Sequence, residues 1–314
     1  MPLLTLKIDA DTYRGTREGV PNLVRLLTTY QARATFLFSL GPDHTGWALK
    51  QVFRSGFFKK VSRTSVVKHY GLKTLMYGVL LPAPDIGKTC AEYMQAVQTA
   101  GFECGIHTWD HRVWQDHIRQ RDAVWTHATM QRSYERFTSI FGIAPKTHGA
   151  AGWQMNPYAF EQLETFNIPY SSDGRAMLKN SGALADQAAG PHRLSVHGKT
   201  LPCIQLPTTL PTLDELLGRE IDGVVLNFTN ITAHILKLTA IPRDHVFTLH
   251  AELEGQKLAP IFKQLLRGWR AQGYDLVAMK DHYQFVKDQI LPTLPLSWAE
   301  LPGRSGDMIM QSSK

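Results

Sequence analysis

Polar side chains suited to metal binding or acid–base chemistry follow the apolar strand patterns of this chain. Residues 3–8 form an apolar run that predicts a strand, and Asp9 and Asp11 come directly after it. A helix-period pattern over residues 20–27 and a second strand pattern over residues 34–38 follow. This alternation predicts an α/β fold with βα units around a mostly parallel sheet or barrel.

Further strand patterns lie along the chain, with helical patterns between several of them. They cover residues 103–106, a segment ending at 147, 223–228, 245–250 and 275–279. In folds of this kind the C-terminal ends of strands line the active site, and several polar side chains fall near such ends. These side chains are Asp9, Asp11, His107, His111, His148 and His250. One domain over residues 1–290 accounts for them, whereas the Pro-, Gly- and Ser-rich residues 291–314 predict a flexible C-terminal tail.

The composition argues against several classes of protein. The first residues lack the basic start, long apolar core and cleavage site of a secretion signal, so export is not expected. No stretch approaches the roughly 20 apolar residues of a membrane-spanning helix. Cys90, Cys104 and Cys203 are far apart, which fits buried thiols in a reducing compartment rather than a disulfide framework. A formal charge of +7 and a pI near 9.3 favour an anionic partner.

The segment His107-Thr108-Trp109-Asp110-His111 places two imidazoles four residues apart. On one helical turn such a pair can hold a single divalent ion, and the segment follows a strand pattern. The chain contains 13 histidines, so a chance pair on a solvated helix face explains the spacing about equally well.

Asp9 and Asp11 favour the metal site, because both carboxylates project from one face of an extended segment. Two histidines and one carboxylate leave positions open on a metal for water and for a substrate carbonyl, and the second carboxylate can accept a proton. His250 ends a different strand and can protonate a leaving amine. A solvated Asp-x-Asp turn and a histidine satisfied within the core are the alternatives.

Five motifs occur in the order found in the polysaccharide deacetylase (NodB homology) family. They are the strand ending in Asp9-Ala10-Asp11, the block from His107 to His111, Thr147-His148-Gly149-Ala150-Ala151-Gly152, Ser171-Ser172-Asp173 and Thr248-Leu249-His250. Over about residues 1–285 the chain resembles this family. The resemblance implies a distorted (β/α) barrel and one divalent metal ion, for which zinc, cobalt and manganese are all suitable. It also implies that Asp11, His107 and His111 bind the metal, with Asp9 as general base and His250 as general acid.

Two features depart from the family pattern. The usual pair of adjacent aspartates is spread to Asp9-Ala10-Asp11, and Lys146 and His148 occur where an arginine normally stands beside the base. His148 is therefore the predicted partner that orients Asp9. Asp173 is predicted to orient and charge His250.

A basic aromatic segment lies between Asp43 and Asp85 and contains no acidic residue. Its cations interleave with aromatic side chains, a pattern typical of surface helices in an anionic membrane interface. We expect residues 44–84 to be an amphipathic insert whose membrane contacts are Phe53, Arg54, Phe57, Phe58, Lys59 and Lys60. An ordinary amphipathic helix packed on the barrel and a nucleic-acid groove are the alternatives. The chain has no nucleic-acid-binding signature, so nucleic acid is not an expected partner.

Within the family, residues 8–15 and the basic insert resemble the members that remove an N-formyl group from 4-deoxy-4-formamido-L-arabinose on undecaprenyl phosphate. The resemblance implies a metal-dependent amide hydrolase of lipid A modification and polymyxin resistance, with a polyprenyl-phosphate-linked sugar as partner. It also implies a peripheral position at the cytoplasmic face of the bacterial inner membrane. A deacetylase for another soluble or cell-wall N-acyl sugar, and a catalytically idle binding module, are the alternatives.

Overall fold

A largely parallel β-sheet forms the centre of the computed structural model, which describes residues 1–47, 76–186, 188–302, 304 and 306–311. The strands in this part of the chain are β1 (Leu3–Ala10), β2 (Thr35–Ser39), β3 (Glu103–Thr108), β4 (Thr147–His148), β5 (Tyr170–Ser171), β6 (Arg175–Ala176), β7 (His192–Val196), β8 (Lys199–Gln205), β9 (Glu220–Ile221), β10 (Val224–Val225), β11 (His245–His250), β12 (Asp275–Val277), β13 (Thr293–Pro295), β14 (Trp298–Glu300) and β15 (Asp307–Gln311).

The main sheet has the order β11-β1-β2-β3-β4-β5-β8-β7-β13, and β12 pairs with the first residues of β1. Neighbouring strands are parallel except β7 and β8, which are antiparallel. Two small sheets lie beside it: β9 pairs with β10, and β15 pairs with β14 and β6. The parallel strands with intervening helices confirm the predicted α/β class.

Helices connect most of the parallel strands. They are α1 (Val20–Thr29), α2 (Ile86–Thr89), α3 (Ala91–Thr99), α4 (His111–His117), α5 (Ala123–Phe141), α6 (Pro157–Thr165), α7 (Leu213–Leu216), α8 (Ile231–Leu238), α9 (Ala259–Ala271) and α10 (Met279–Val286). A π-helical turn, Gly15–Gly19, precedes α1. The longest of these helices, α5, begins at the side-chain cap of Asp122 and ends at Gly142, whose φ of 70° suits a residue without a Cβ.

Strand β1 is buried on both faces, one apolar and one carrying charged side chains. Leu4, Leu6 and Ile8 are fully buried in the main hydrophobic core. Successive side chains in a strand point to opposite faces, so Lys7 and Asp9 project from the other face. Both of these polar residues are also buried. One face of β1 therefore packs against the helices while the other supplies charged groups to the interior.

Helix α9 covers one part of the main core with an apolar stripe. Its buried residues Ile261, Phe262, Leu265, Leu266 and Trp269 recur at helical spacing. Pro260 lies in the first turn, where a missing N–H costs no hydrogen bond. Full burial of a side chain of this size stabilises the fold by about 1.5–3 kcal/mol. Trp269 of this stripe packs edge-on against Phe247 of β11, with the ring centroids 5.2 Å apart.

Two sequence expectations differ from the structure. Residues 223–228 contribute only β10, which belongs to the separate hairpin and not to the main sheet. The tail predicted to be flexible contains β13, β14 and β15, and Leu301, Met308, Ile309 and Met310 are buried. That prediction is wrong for the described part of the tail, because a composition rich in Pro and Gly does not register the apolar residues at 308–310.

The predicted membrane contacts from Phe53 to Lys60 lie outside the described residues. Among the helices of the described segments, none combines the length and the apolar character needed to cross a membrane.

Candidate metal centre and catalytic residues

Asp11, His107 and His111 come together at the C-terminal ends of β1 and β3. One ligand atom from each residue lies within 4.8 Å of the others. His107 Nε2 is 3.1 Å from Asp11 Oδ1, and His111 Nε2 is 3.4 Å from Asp11 Oδ2. The cluster joins the three side chains that the sequence selected as metal ligands.

The two histidines reach the cluster from different elements. His107 lies in β3, whereas His111 is the first residue of α4, so the expectation that they share one helical turn is wrong. Asp110 caps α4 by accepting hydrogen bonds from the N–H groups of Arg112 and Val113. The change from strand to helix turns both rings to one side, and their centroids are 5.3 Å apart.

The donor set fits a divalent metal. His107 Nδ1 donates to the carbonyl of Gly149 at 2.6 Å, which leaves the Nε2 lone pair directed at Asp11. Asp11 Oδ1 and His107 Nε2 are both buried without a hydrogen-bond partner. Burial lowers the pKa of His111 to about 4, so that ring is neutral at pH 7. Burial alone would raise the pKa of Asp11, but the neighbouring histidines outweigh it and keep the carboxyl ionised. Two imidazoles and one carboxylate are a common ligand set for a metal that also binds water.

Lys7, and not His148, contacts Asp9. Lys7 Nζ lies 3.0 Å from Asp9 Oδ2, and both side chains are almost fully buried. The two residues share a face of β1 because they are two positions apart. Asp9 Oδ1 has no hydrogen-bond partner and faces the His107 ring at 3.8 Å. The i, i+2 pattern in the first strand was a signal available in the sequence.

His148 and Asp173 pair with each other. His148 Nδ1 donates to Asp173 Oδ1 at 2.6 Å, and the same oxygen accepts from the N–H of Ala150 at 2.9 Å. Gln205 adds a weaker contact to Asp173 Oδ2. The expected roles, in which His148 orients Asp9 and Asp173 orients His250, are therefore wrong. The pair instead ties the loop after β4 to the end of β5.

His250 ends β11 beside β1, and Asp9 is its register partner in the parallel pairing of the two strands. Asp214, which lies in α7, faces His250 with Oδ1 3.8 Å from Nδ1. Burial would lower the pKa of His250, but Asp214, Asp11 and other carboxylates raise it to about 9. The ring is therefore an imidazolium at neutral pH, as a general acid requires.

Two buried glutamates that the sequence analysis did not select support these residues. Glu252 Oε1 accepts hydrogen bonds from the N–H groups of Asp11 and Thr12, and Glu254 Oε2 accepts one from the N–H of His250. Burial raises the pKa of Glu252 to about 8 and that of Glu254 to about 7. The run His-Ala-Glu-Leu-Glu at 250–254 was the available signal, since it places two carboxyl groups directly after the candidate acid His250.

The described ends of the basic insert lie beside the metal cluster. His44 Nδ1 is 2.5 Å from Asp110 Oδ2, and its ring stacks on Trp47 at 4.3 Å. The Trp47 indole N–H donates to the carbonyl of Gly78 at 2.8 Å. The insert therefore leaves and re-enters the fold next to the residue that caps α4.

Two proteins of known description resemble the chain over nearly its full length. A protein from Shewanella sediminis named as a 4-deoxy-4-formamido-L-arabinose-phosphoundecaprenol deformylase is 32% identical over 98% of this chain and 94% of its own. A protein of the same name from Wigglesworthia glossinidia brevipalpis is 28% identical over 93% of this chain and 96% of its own. No protein-family model matches the chain.

Solved structures share the fold at low sequence identity. A crystal structure described as a polysaccharide deacetylase, from Mycobacterium smegmatis, superposes with a TM-score of 0.62 at 15% identity, and the match covers 95% of this chain and 94% of that one. The crystal structure of the Puue allantoinase gives a TM-score of 0.57 at 12% identity over 90% of each chain. These matches confirm the predicted deacetylase-type fold. The sequence similarity to the Shewanella protein, which extends over nearly the full length of both chains, shows that the chain belongs to the family of 4-deoxy-4-formamido-L-arabinose-phosphoundecaprenol deformylases.

Proposed function

We propose that the chain hydrolyses the N-formyl group of 4-deoxy-4-formamido-L-arabinose linked to undecaprenyl phosphate, as a step of lipid A modification. The products are formate and the free 4-amino sugar, which remains on its polyprenyl carrier. Similarity over nearly the whole chain to two proteins with this name carries the proposal. The cluster of Asp11, His107 and His111 beside an acid and a base supports it independently.

Asp11, His107 and His111 would hold one divalent metal ion, for which zinc, cobalt and manganese are the candidates. When bound, such an ion polarises an amide carbonyl and lowers the pKa of water. The three side chains keep this site next to Asp9, which comes from the same strand as Asp11.

Asp9 acts as the general base in this proposal. Lys7 Nζ donates a hydrogen bond to Asp9 Oδ2, while Oδ1 remains available to accept a proton from the attacking water. The water oxygen bonds to the formyl carbon as this proton leaves. Lys7 thus fills the role of the arginine that the family usually places beside the base.

His250 acts as the general acid. Its raised pKa of about 9 keeps a proton on the ring at neutral pH. As the carbon–nitrogen bond breaks, the imidazolium transfers this proton to the leaving nitrogen, so the sugar departs as a neutral amine. The formyl group leaves as formic acid, which loses its proton to solvent and becomes formate. Asp9 releases the proton that it took from water, and the His250 ring regains one from solvent, since its side chain is 13% exposed.

The basic insert would hold the protein at an anionic membrane surface as a peripheral protein of the cytoplasmic face. Its cations, each worth about 1 kcal/mol near an acidic leaflet, lie in the same segment as its aromatic side chains. The described ends of the insert lie beside Asp110, so a lipid-linked sugar bound there would be close to the metal cluster.

Formate release from purified 4-formamido-arabinose-phosphopolyprenol tests the proposal. We expect mass spectrometry to detect formate with the enzyme as purified, no formate after chelation, and recovery on adding a divalent ion. The matched N-acetyl sugar on the same carrier is the control for acyl specificity. A metal-loaded enzyme that releases acetate but no formate would contradict the proposed substrate and favour a deacetylase for another sugar.

A further inference from the structure

The C-terminal segment reaches the active site through Arg304, which lies between β14 and β15. Strand β15 pairs with β6, and Met308 and Met310 are buried, so the segment is held against the body of the fold. The Arg304 side chain is only 19% exposed. Its contacts with the body include Asp214, Glu215 and Trp153.

Arg304 binds two neighbouring carboxylates of α7. Its Nε lies 2.5 Å from Glu215 Oε1, and its Nη2 lies 3.6 Å from Asp214 Oδ2. The guanidinium carbon is 4.5 Å from the centroid of the Trp153 ring. Because both the edge and the face of the planar guanidinium are engaged, the group is held in one orientation.

The Trp153 ring is itself fixed in place. Its backbone has a φ of 53°, which is uncommon for a bulky residue and persists only where the surroundings hold it. The side chain is buried, and the charged ends of Arg175 and Lys7 lie 4.4 Å and 5.1 Å from its ring centroid. The indole therefore offers Arg304 a rigid surface.

Asp214 needs such a partner if it is to face His250 steadily. Its side chain is 36% exposed and lies on a helix of only four residues, so it could rotate into solvent. Its Oδ1 accepts a hydrogen bond from Thr212 and faces His250 Nδ1 at 3.8 Å, while Oδ2 points to Arg304. Each carboxylate oxygen thus has its own neighbour.

We propose that Arg304 is a positioning residue for the general acid: it holds Asp214 in the orientation that faces His250. The C-terminal segment is then a working part of the active site. This inference rests on the proposed function, in which His250 protonates the leaving nitrogen.

A double-mutant cycle on kcat for formate release tests the inference. General acid catalysis contributes about 100-fold or more, so we expect Asp214→Asn to lower kcat about 30-fold and Arg304→Gln about tenfold, with KM nearly unchanged. The double variant should be no slower than Asp214→Asn, because Arg304 acts through Asp214. An unchanged kcat in Arg304→Gln, or a double variant slowed by the product of the two single losses, would overturn the inference.

Two further variants separate positioning from stability. Arg119→Gln removes an ion pair with Asp307, 2.7 Å long, which anchors the same segment away from Asp214, and it should retain wild-type kcat. Arg304→Lys keeps a cation but cannot contact both carboxylates and the ring, so kcat should fall about threefold, and this loss should vanish in the Asp214→Asn background. If Arg304→Gln does not fold, the cycle built on Arg304→Lys decides by the same criteria.

A readout without substrate distinguishes failure of this inference from failure of the proposed function. His250 is faced by Asp214 from α7, by Asp9 and Asp11 from β1, and by Glu254 and His111. NMR titration of the zinc-loaded protein should show that Asp214→Asn lowers the pKa of His250. This decrease in the His250 pKa should be smaller in the Arg304→Gln background. An equal decrease in the His250 pKa in both backgrounds would overturn the positioning role. A smaller decrease in the Arg304→Gln background, together with no formate release by the wild type, would reject only the proposed substrate.

Discussion

Asp9 and Asp11 lie two residues apart, but only Asp11 belongs to the metal cluster. Substitution of Asp9 should therefore reduce turnover alone, whereas substitution of a residue of the metal cluster should reduce both metal binding and turnover. Asp9→Asn removes the base while leaving the three metal-binding side chains intact, so we expect turnover to fall at least about 100-fold with the metal retained. His107→Ala should lose both metal and turnover. Metal analysis after gel filtration, together with formate release, measures the two effects.

A histidine from the same region provides the matched control for these substitutions. His117 is exposed at the end of α4, and His117→Ala should keep both metal and activity. Wild-type turnover in Asp9→Asn, or a full metal complement in His107→Ala, would contradict the assigned roles.

The three side chains of the metal cluster were predictable from the sequence, and local signals also existed for Lys7, Glu252 and Glu254, but no local signal existed for Asp214. Asp11, His107 and His111 follow strand patterns, and strand ends of a parallel sheet meet at one edge. Asp214 lies outside any strand pattern, 36 positions before His250, and only the folded chain brings the two side chains together. His148, which the sequence suggested as the partner of Asp9, pairs instead with Asp173.

At the scale of the element, helix α7 depends on an ionised carboxylate, and its stability should vary with pH. Burial alone would raise the pKa of Glu215, but the charges of Arg175 and Arg304 lower it to about 2 from an ordinary value of 4.5. The folded state therefore favours the ionised form, so this stabilisation is complete above about pH 4.5 and is lost as pH falls towards 2. Arg175 is fully buried and needs this partner.

Substitution of Glu215 isolates this contribution. Glu215→Gln should lower the free energy of unfolding at pH 7 by about 3–5 kcal/mol, since it leaves Arg175 buried without its carboxylate. The difference in the free energy of unfolding between wild type and Glu215→Gln should become smaller as the pH falls from 4.5 to 2. Urea unfolding at several pH values measures it, and a difference that stays constant with pH would contradict the ion pair as the source.

Strands β13 to β15 should contribute to stability, contrary to what their composition predicts. Ile309 is 3% exposed and packs in a separate buried cluster that includes Phe160, Leu194 and Val196. Ile309→Ala should therefore lower the free energy of unfolding by about 3 kcal/mol. Ile290 is fully exposed just before the segment, and Ile290→Ala should have almost no effect. Urea unfolding of both variants compares them, and equal stabilities would mean that the segment is loosely held in solution.

At the scale of the whole molecule, the chemistry and the membrane contact are assigned to separate parts of the chain. Replacing Phe57, Phe58, Lys59 and Lys60 together with serine should release the protein from anionic liposomes, while hydrolysis of a water-soluble analogue is unchanged. Co-sedimentation measures binding. The matched control replaces two isoleucines and two lysines that are exposed elsewhere on the protein, and it should leave binding intact. These residues are Ile241, Ile290, Lys199 and Lys237.

The order of elements along the chain was predictable because each βα unit is formed by neighbouring residues. The pairing of the first and last strands of the site was not predictable, because these strands are far apart in the sequence. Strand periodicity identified β1, β2, β3 and β11, which carry or flank the site, but it gave no indication of β5, β7 or β8. Strand β5 has only two residues and is too short for a periodic pattern. Strand β7 does alternate between buried and half-buried residues, a pattern that the sequence analysis did not select. The pairing of β1 with β11 spans most of the sequence and has no local signal.

That pairing also sets the time at which the enzyme becomes active during its synthesis. The backbone N–H of Asp11 is bound by Glu252, which lies 241 residues later in the chain. During translation Asp9, the proposed base, is therefore synthesised near the beginning of the chain. His250, the proposed acid, and Arg304 are synthesised only near the end. With His250 in its proposed role, unfinished chains and fragments cut before residue 250 lack the general acid. We therefore expect them not to hydrolyse the substrate even when Asp11, His107 and His111 are all present.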